Sequence, residues 1–219
     1  MTSYFGIVPS DALKSDIELA KTNRGSKDLQ YPLRDKISLK LNDELIDNLL
    51  IQLVQQFPAS EKRDTAEKLA GYVRSTVSVL LKQLLGKAPN EQVVKSLDFL
   101  ESSSFVDNAG NSRIGTSLPD DLVNQLKASF AAVHAGEGKQ QRQALATQFK
   151  LFADQIIKHF MTDYNKTLDL GLIKRKAAEL ATSAVGKAVH IAIDKLIPSL
   201  TQAELEAVAT HFDHLLIQK

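Results

Sequence analysis

The 219-residue chain contains no cysteine and no tryptophan, and aromatic residues make up only 6% of it. Without cysteine, disulfides, thiolate nucleophiles and cysteine-ligated zinc or iron–sulfur sites are excluded. No run approaches about 18 uncharged apolar residues, the length that indicates a membrane-spanning helix. The first nine residues also lack the basic start of a signal peptide. We therefore expect a cytoplasmic protein with no membrane span and a core of Leu, Ile, Val, Ala and Phe.

Neither sign of charge dominates the chain. Its 27 Lys and Arg residues are balanced by 26 Asp and Glu, a formal net charge of +1. This balance argues against an obligate nucleic-acid binder, which carries excess positive charge. The sequence also lacks a Gly-x-Ser-x-Gly elbow and a phosphate-binding Gly-x-x-x-x-Gly-Lys-Ser/Thr loop. We therefore predict no enzyme, no catalytic residues and no cofactor.

Apolar residues recur at helical spacing along most of the chain, which predicts an all-α protein built as a helical bundle. Asn42, Ser60 and Asn90 are suited to cap three helices of the first half. Thr201 and Glu204 have the spacing of a capping box at the start of the last helix. These signals predict helices in both halves of the chain.

Two stretches lack the helical period. Residues 105–116 are rich in Gly, Asn, Asp and Ser, and are expected to form a linker or a short hairpin. The linker is favoured because an isolated hairpin is only marginally stable in water. Residues 26–41, which end in an alternating apolar and polar pattern, resemble an arm or a short strand.

Motifs of the first half return in the same order in the second half, which favours an internal duplication. Phe5-Gly6, followed by Val-Pro and an acidic helix start, matches Ile114-Gly115, which is followed by Leu-Pro and two aspartates. Lys62-Arg63 precedes an Ala-Glu pair by the same spacing as Lys174-Arg175. Amphipathic helices alone give scattered matches, but the non-helical Gly and Pro motif in the same order favours duplication.

The duplication divides the chain into two tandem, related units. We expect residues 1–104, including the N-terminal arm, and residues 117–219 each to form three to four helices. Residues 105–116 join them, and the two units pack together as one body.

The histidines were considered as metal ligands. His159 with Asp163, and His190 with Asp194, have the i, i+4 spacing from which facing helices build metal sites. Both pairs continue polar helix faces and are therefore predicted to be exposed. Since zinc needs three or four converging ligands, no metal site is predicted.

Basic residues open two predicted helices, where positive charge opposes the helix dipole. They are Lys174, Arg175 and Lys176 in the second half, and Lys62 and Arg63 in the first. One hypothesis is an anion-binding site in which both helix starts and their free amides hold phosphate or an acidic partner. The simpler interpretation is a solvated surface with i, i+4 ion pairs to glutamates.

Three functions remain open from the sequence. The first is a non-enzymatic interaction or regulatory module that presents a groove to a protein partner or to a second copy of itself. The second is a helical bundle that binds a small apolar or acyl ligand between its halves. A closed apolar cavity of roughly 300 Å3 or more would favour this function. The third is weak phosphate or nucleic-acid binding at the basic helix starts.

Overall fold

The computed structural model describes residues 2–219. The helices are α1 (Asp11–Thr22), α2 (Tyr31–Ile46), α3 (Gln52–Gln55), α4 (Glu61–Leu84), α5 (Asn90–Ser102), α6 (Asp120–Ala132), α7 (Gly138–Ile157), α8 (Tyr164–Lys166), α9 (Leu172–Leu196) and α10 (Gln202–Asp213). The strands are β1 (Ser3–Ile7), β2 (Ser104–Val106), β3 (Ser112–Leu118) and β4 (Leu216–Gln218). The molecule is thus mostly helical, and the all-α prediction needs one correction, a small antiparallel sheet. Two of its strands have three residues each, too few to show a readable alternation.

Two of the predicted helix caps form as expected. The Ser60 hydroxyl accepts a hydrogen bond from the Arg63 amide at the start of α4. At the start of α10 the Thr201 hydroxyl accepts from the Glu204 amide, and the Glu204 carboxylate accepts from the Thr201 amide at 2.6 Å. These caps are local in sequence, and each satisfies amides that the first helical turn leaves free.

The prediction of an arm or strand over residues 26–41 is wrong. Helix α2 begins at Tyr31, with Pro32 in its first turn, where a missing N–H costs nothing. Asn42 therefore lies inside this helix and does not cap one. The residues buried along α2 are Arg34, Ile37, Ser38, Leu41, Leu45 and Ile46. Their spacing is helical, and the polar members among them hide the period in the sequence.

Residues 104–118 form a β-hairpin, so of the two alternatives for residues 105–116 the structure has the hairpin. The hairpin is not isolated, because β1 pairs antiparallel with the other edge of β3 and β4 pairs with β1. The strand order across the sheet is β2-β3-β1-β4. The linker is favoured from the sequence because an isolated hairpin is marginally stable, but β1 and β4, from the two ends of the chain, pair with this hairpin and extend it into a sheet.

The two halves of the chain follow the same order of elements. Each begins with a strand and a helix, continues through a long helix that ends in a π-helical turn and a short helix, and closes with two helices and a strand. These π-helical turns are Asp47–Ile51 and Lys158–Asp163, and the second half has a further one, Val133–Glu137, between α6 and α7. In the sheet, the last strand of each half pairs with the first strand of the other. One sheet therefore contains strands from both halves.

Helices α4 and α9 pack against each other in opposite directions. Lys62, at the start of α4, bonds Glu204, a few residues beyond the end of α9, at 3.2 Å. Gln92, which follows α4, bonds Asp169, which precedes α9, at 2.8 Å. The start of each helix therefore lies near the end of the other. Within residues 2–219, no helix has the length and apolar character needed to cross a membrane.

Candidate ligand cavity

A cavity of about 240 Å3 lies between the two halves of the molecule. Helices α2 and α4 of the first half and α7 and α9 of the second contribute most of its wall, and α5 and α10 add further side chains. The buried apolar side chains form two separate clusters, one around the sheet and one between α4 and α9. Members of both clusters line the cavity, which therefore occupies the space where the two clusters fail to meet.

The cavity wall is apolar almost throughout. Its lining includes no charged side chain, and its polar members are Ser38, Asn42, Tyr164 and Asn165. The Ser38 hydroxyl donates to the Arg34 carbonyl and is hydrogen-bonded to the Tyr164 hydroxyl. Burial raises the pKa of Tyr164, which keeps its phenol neutral. The Asn42 side-chain nitrogen is buried without a hydrogen-bond partner, so the wall contains one unsatisfied donor.

Two of the three π-helical turns within residues 2–219 border the cavity. Asp47–Ile51 contributes Leu50, and Lys158–Asp163 contributes Met161. A π turn inserts an extra residue and changes which side chains face a neighbouring helix, and such turns are frequent at functional sites. The two wall helices therefore change their inward face where the cavity is found.

The basic start of α4 is engaged by its surroundings. Lys62 pairs with Glu204, which is only 5% exposed, and Arg63 pairs with Glu67 at 2.8 Å. Burial opposes ionisation of Glu204, but hydrogen bonds from Thr201 and Lys62 outweigh it and hold the pKa of that carboxyl below its usual value. Arg63 also donates to the Phe57 carbonyl.

The basic start of α9 is exposed. Arg175 donates to the Leu170 carbonyl at 3.2 Å, while Lys174 and Lys176 make no ion pair within residues 2–219. Because α4 and α9 are antiparallel, the two basic starts lie at opposite ends of the pair. A 25-residue helix spans roughly 35 Å, so Lys62 and Arg63 do not converge with the three basic residues of α9.

The histidines occupy more varied positions than predicted. His159 is half-buried, against its predicted exposure, and its Nε2 lies 2.8 Å from the Ser103 hydroxyl. Burial lowers the pKa of His159, which favours the neutral ring. His190 lies nearer the surface and bonds Asp154 at 2.8 Å. Within residues 2–219, no three His, Asp or Glu side chains are grouped so that they could hold a metal ion.

From the sequence, the lining residues are expected in the core, and a ligand cavity between the halves is one of three alternatives. Leu45, Leu49 and Leu53 follow the same spacing whether their helix meets a neighbour or a void. The one available signal is Asn42, a polar residue within this apolar run. No protein-family model matches the chain, and neither the curated proteins nor the solved structures contain a match.

Proposed function

We propose that the protein is a cytoplasmic, non-enzymatic binding protein that holds a small apolar or acyl ligand in the cavity between its halves. The observation that carries this proposal is a cavity of about 240 Å3 with no charged side chain in its lining. Apolar cavities of about 150 Å3 stay dry and take up molecules the size of benzene. A larger cavity of the same character is suited to a larger apolar guest.

The exposure of the cavity wall supports an occupant. The cavity is partly open to solvent, and many of the apolar side chains that line it are only partly buried, among them Leu49, Leu53 and Val189. A bound apolar ligand would remove this apolar surface from water and would supply contacts that the lining side chains lack. A ligand that binds only the folded chain would also raise its stability.

The size and chemistry of the wall narrow the ligand class. The cavity is smaller than the closed cavity of roughly 300 Å3 or more that is expected of a ligand binder from the sequence, and it is partly open. A single slender chain therefore fits it better than a bulky cofactor. Since no cation lines the cavity, a carboxylate headgroup is expected to remain outside it.

We also infer that the two halves arose by duplication, with residues 1–104 and 117–219 as the related units and 105–116 between them. In the sheet, Gly6 is paired with Gly115. The Gly6 amide donates to the Leu215 carbonyl at 3.0 Å, and the Gly115 amide donates to the Ser103 carbonyl at 2.8 Å. Each accepting carbonyl belongs to the residue immediately before the last strand of a half, Leu215 before β4 and Ser103 before β2. The two bonds therefore lie at equivalent places in the two halves.

The starts of α4 and α9 support the same inference. Arg63 donates to the Phe57 carbonyl and Arg175 to the Leu170 carbonyl, and both carbonyls lie in the connection that precedes the helix. A two-fold related pair of units would enclose the cavity between equivalent helices. This arrangement explains why α4 and α9 both contribute to its wall.

The proposal is tested by native mass spectrometry of the purified protein, compared with its denatured mass, and by titration with dodecanoic acid. We expect an adduct of a few hundred daltons, or dodecanoate binding after the protein is stripped. Val77→Phe places a ring in the cavity and is expected to weaken binding at least tenfold without lowering the melting temperature. Val79→Phe is the matched control, because Val79 lies on the outer face of the same helix and is 52% exposed.

Absence of both an adduct and dodecanoate binding would contradict the proposal, as would equal binding by the Val77 and Val79 variants. If Val77→Phe does not fold, Ala192→Met fills the same space with a flexible side chain. The interaction module is the second candidate function, and exposed apolar side chains on α9 favour it. The anion-binding hypothesis has less support, because its five residues lie at two separate places.

A further inference from the structure

The outer face of α9 exposes a stripe of large apolar side chains. Ile173 is 86% exposed, Leu180 73% and Ile191 56%. At 3.6 residues per turn these three positions fall on one side of the helix, opposite the buried Ala178 and Val185. Isolated exposed apolar residues need no explanation, but a stripe along a single helix marks an interaction surface.

Positive charge flanks this stripe. Lys176 and Lys187 lie beside it on the helical wheel, and Lys174 and Arg175 lie at its first turn. Neither Lys176 nor Lys187 makes an ion pair within residues 2–219. The acidic residues of α9 are Glu179 and Asp194, and Asp194 is already paired with Lys150 at 2.7 Å. The outer face is therefore apolar along its centre and positively charged at its side.

The fold does not require this surface. In α4, the positions that correspond to Ile173 and Leu180 hold Glu61 and Lys68, both exposed. Lys176 likewise corresponds to an acidic residue, Asp64. The position that corresponds to Ile191 holds Val79, which is 52% exposed, so the outer faces differ only over part of their length. Helix α4 packs with polar residues where α9 has Ile173 and Leu180, so these two apolar side chains of α9 serve something other than folding.

We propose that the outer face of α9 docks the protein on an anionic lipid bilayer. An interfacial helix places apolar side chains among the lipid acyl chains while its lysines reach the anionic headgroups. A second copy of the chain fits the surface less well, because pairing two such stripes would bring Lys176 and Lys187 of each copy against cations. The stripe also lies on a convex helix rather than in a groove, which suits a planar surface better than a partner helix.

The docked orientation has a consequence for the cavity. The inner face of α9 contributes Val185 and Val189 to the cavity wall, so one helix separates the cavity from the bilayer. An acyl ligand would then have a short path between membrane and cavity. Only this consequence rests on the proposed function, because docking itself depends on the outer face alone.

The test is co-sedimentation of the full chain with vesicles of phosphatidylcholine plus phosphatidylserine, and with vesicles of phosphatidylcholine alone. We expect binding to the anionic vesicles that is at least tenfold stronger than to the neutral ones and that weakens with added salt. The double variant Ile173→Glu with Leu180→Lys carries the residues of α4 and is expected to lose binding at least tenfold. Val79→Glu, on the outer face of α4, is the matched control and is expected to bind as the parent does.

Several results would overturn docking: no binding to anionic vesicles, equal binding to neutral ones, or a double variant that binds like the parent. A dimer that the double variant converts to a monomer would assign the stripe to a second copy instead. Native mass spectrometry of the double variant separates this proposal from ligand binding. Its adduct is expected to match the parent's, so docking and cavity occupancy can fail independently.

Discussion

Helices α4 and α9 occupy corresponding places in the two halves, and they agree on the inside while differing on the outside. Five of the seven buried positions of α4 hold an identical or similar-sized apolar residue 112 positions later in α9, whereas Ala70 and Leu80 correspond to Thr182 and Ala192. The five pairs are Ala66 and Ala178, Val73 and Val185, Val77 and Val189, Leu81 and Ile193, and Leu84 and Leu196. Because core side chains must fit their neighbours closely, a change of even one methylene there is felt.

The outer faces agree less: Val79 and Ile191 are both apolar and exposed, but other corresponding positions differ in polarity or charge. Glu61 corresponds to Ile173, Asp64 to Lys176 and Ser75 to Lys187. Substitutions at exposed sites usually change stability by less than about 0.5 kcal/mol, so these positions are free to serve binding. The comparison teaches that the interior of each half preserves the fold, whereas the surface of the second half carries the features suited to an interaction.

The largest expected difference is in the loss of stability caused by alanine at Gly115 and at Gly6, which are paired in the sheet. A Cβ at Gly115 would lie 1.7 Å from the backbone oxygen of Phe5, which cannot move without breaking the sheet. A Cβ at Gly6 would lie 2.7 Å from the ring of Phe105, a side chain that can rotate away. We expect Gly115→Ala to cost about 3 kcal/mol or more and Gly6→Ala about 1–2 kcal/mol, measured by urea unfolding. Equal costs would contradict this account of the sheet.

A smaller effect is expected from the helix caps. Thr201→Ala removes half of a capping box and loosens Glu204, which is 5% exposed, so we expect a loss of about 1–2 kcal/mol. Ser60→Ala removes a single bond to the Arg63 amide, and we expect about 1 kcal/mol or less. Thermal unfolding of both variants measures the difference, and Thr201→Ser, which keeps the hydroxyl, is expected to unfold close to the parent. A larger loss from Ser60→Ala would reverse the comparison.

The smallest effect concerns the pH dependence of stability and a histidine contact that occurs once in each half. His159 lies in the π turn Lys158–Asp163 and bonds Ser103, which follows α5 in the first half. His211 of α10 bonds the carbonyl of Asn48, which lies in the π turn Asp47–Ile51, at 2.7 Å. Burial lowers the pKa of both histidines. Since the unfolded chain then binds protons first, stability is fully present above about pH 6.5 and falls as the pH is lowered.

We expect this fall to be reduced in His159→Gln and His211→Gln, and to be reduced further in the double variant. Urea unfolding at a series of pH values between 7 and 5 measures it. His190→Gln is the control, because His190 lies nearer the surface and bonds an exposed carboxylate. If the free energy of unfolding depends on pH in both single variants as it does in the parent, His159 and His211 do not cause the fall in stability.

Two of the four predicted helix caps, which depend on contacts within a few residues, have the expected structure. The caps at Ser60 and Thr201 are of this kind, because donor and acceptor lie three residues apart. The predicted cap at Asn90 is off by one residue, because Pro89 is the residue that precedes the helix. The Asn90 side chain instead donates to the backbone carbonyls of Ser26 and Asp28. That partner is 62 to 64 residues away, and no local pattern reveals it.

Among the candidate sites, the sequence offered the basic helix starts and left the cavity as an alternative. The basic residues could be found because charge is visible residue by residue. Whether they converge depends on the antiparallel packing of α4 and α9, which places them at opposite ends. The place and the lining residues of the cavity could not be found from the sequence, since a void is a property of several helices together.

The sequence by itself determined the helical character, the repeated order of motifs and the caps at Ser60 and Thr201, because these depend on periodicity and on contacts a few residues apart. The tertiary structure alone decided the four-stranded sheet, in which β1 lies between β3 and β4, from near the middle and the end of the chain. It also decided the cavity between the halves and the exposure of the α9 stripe. The physical reason is that strand pairing and packing voids arise from contacts between distant segments, which no local spacing records.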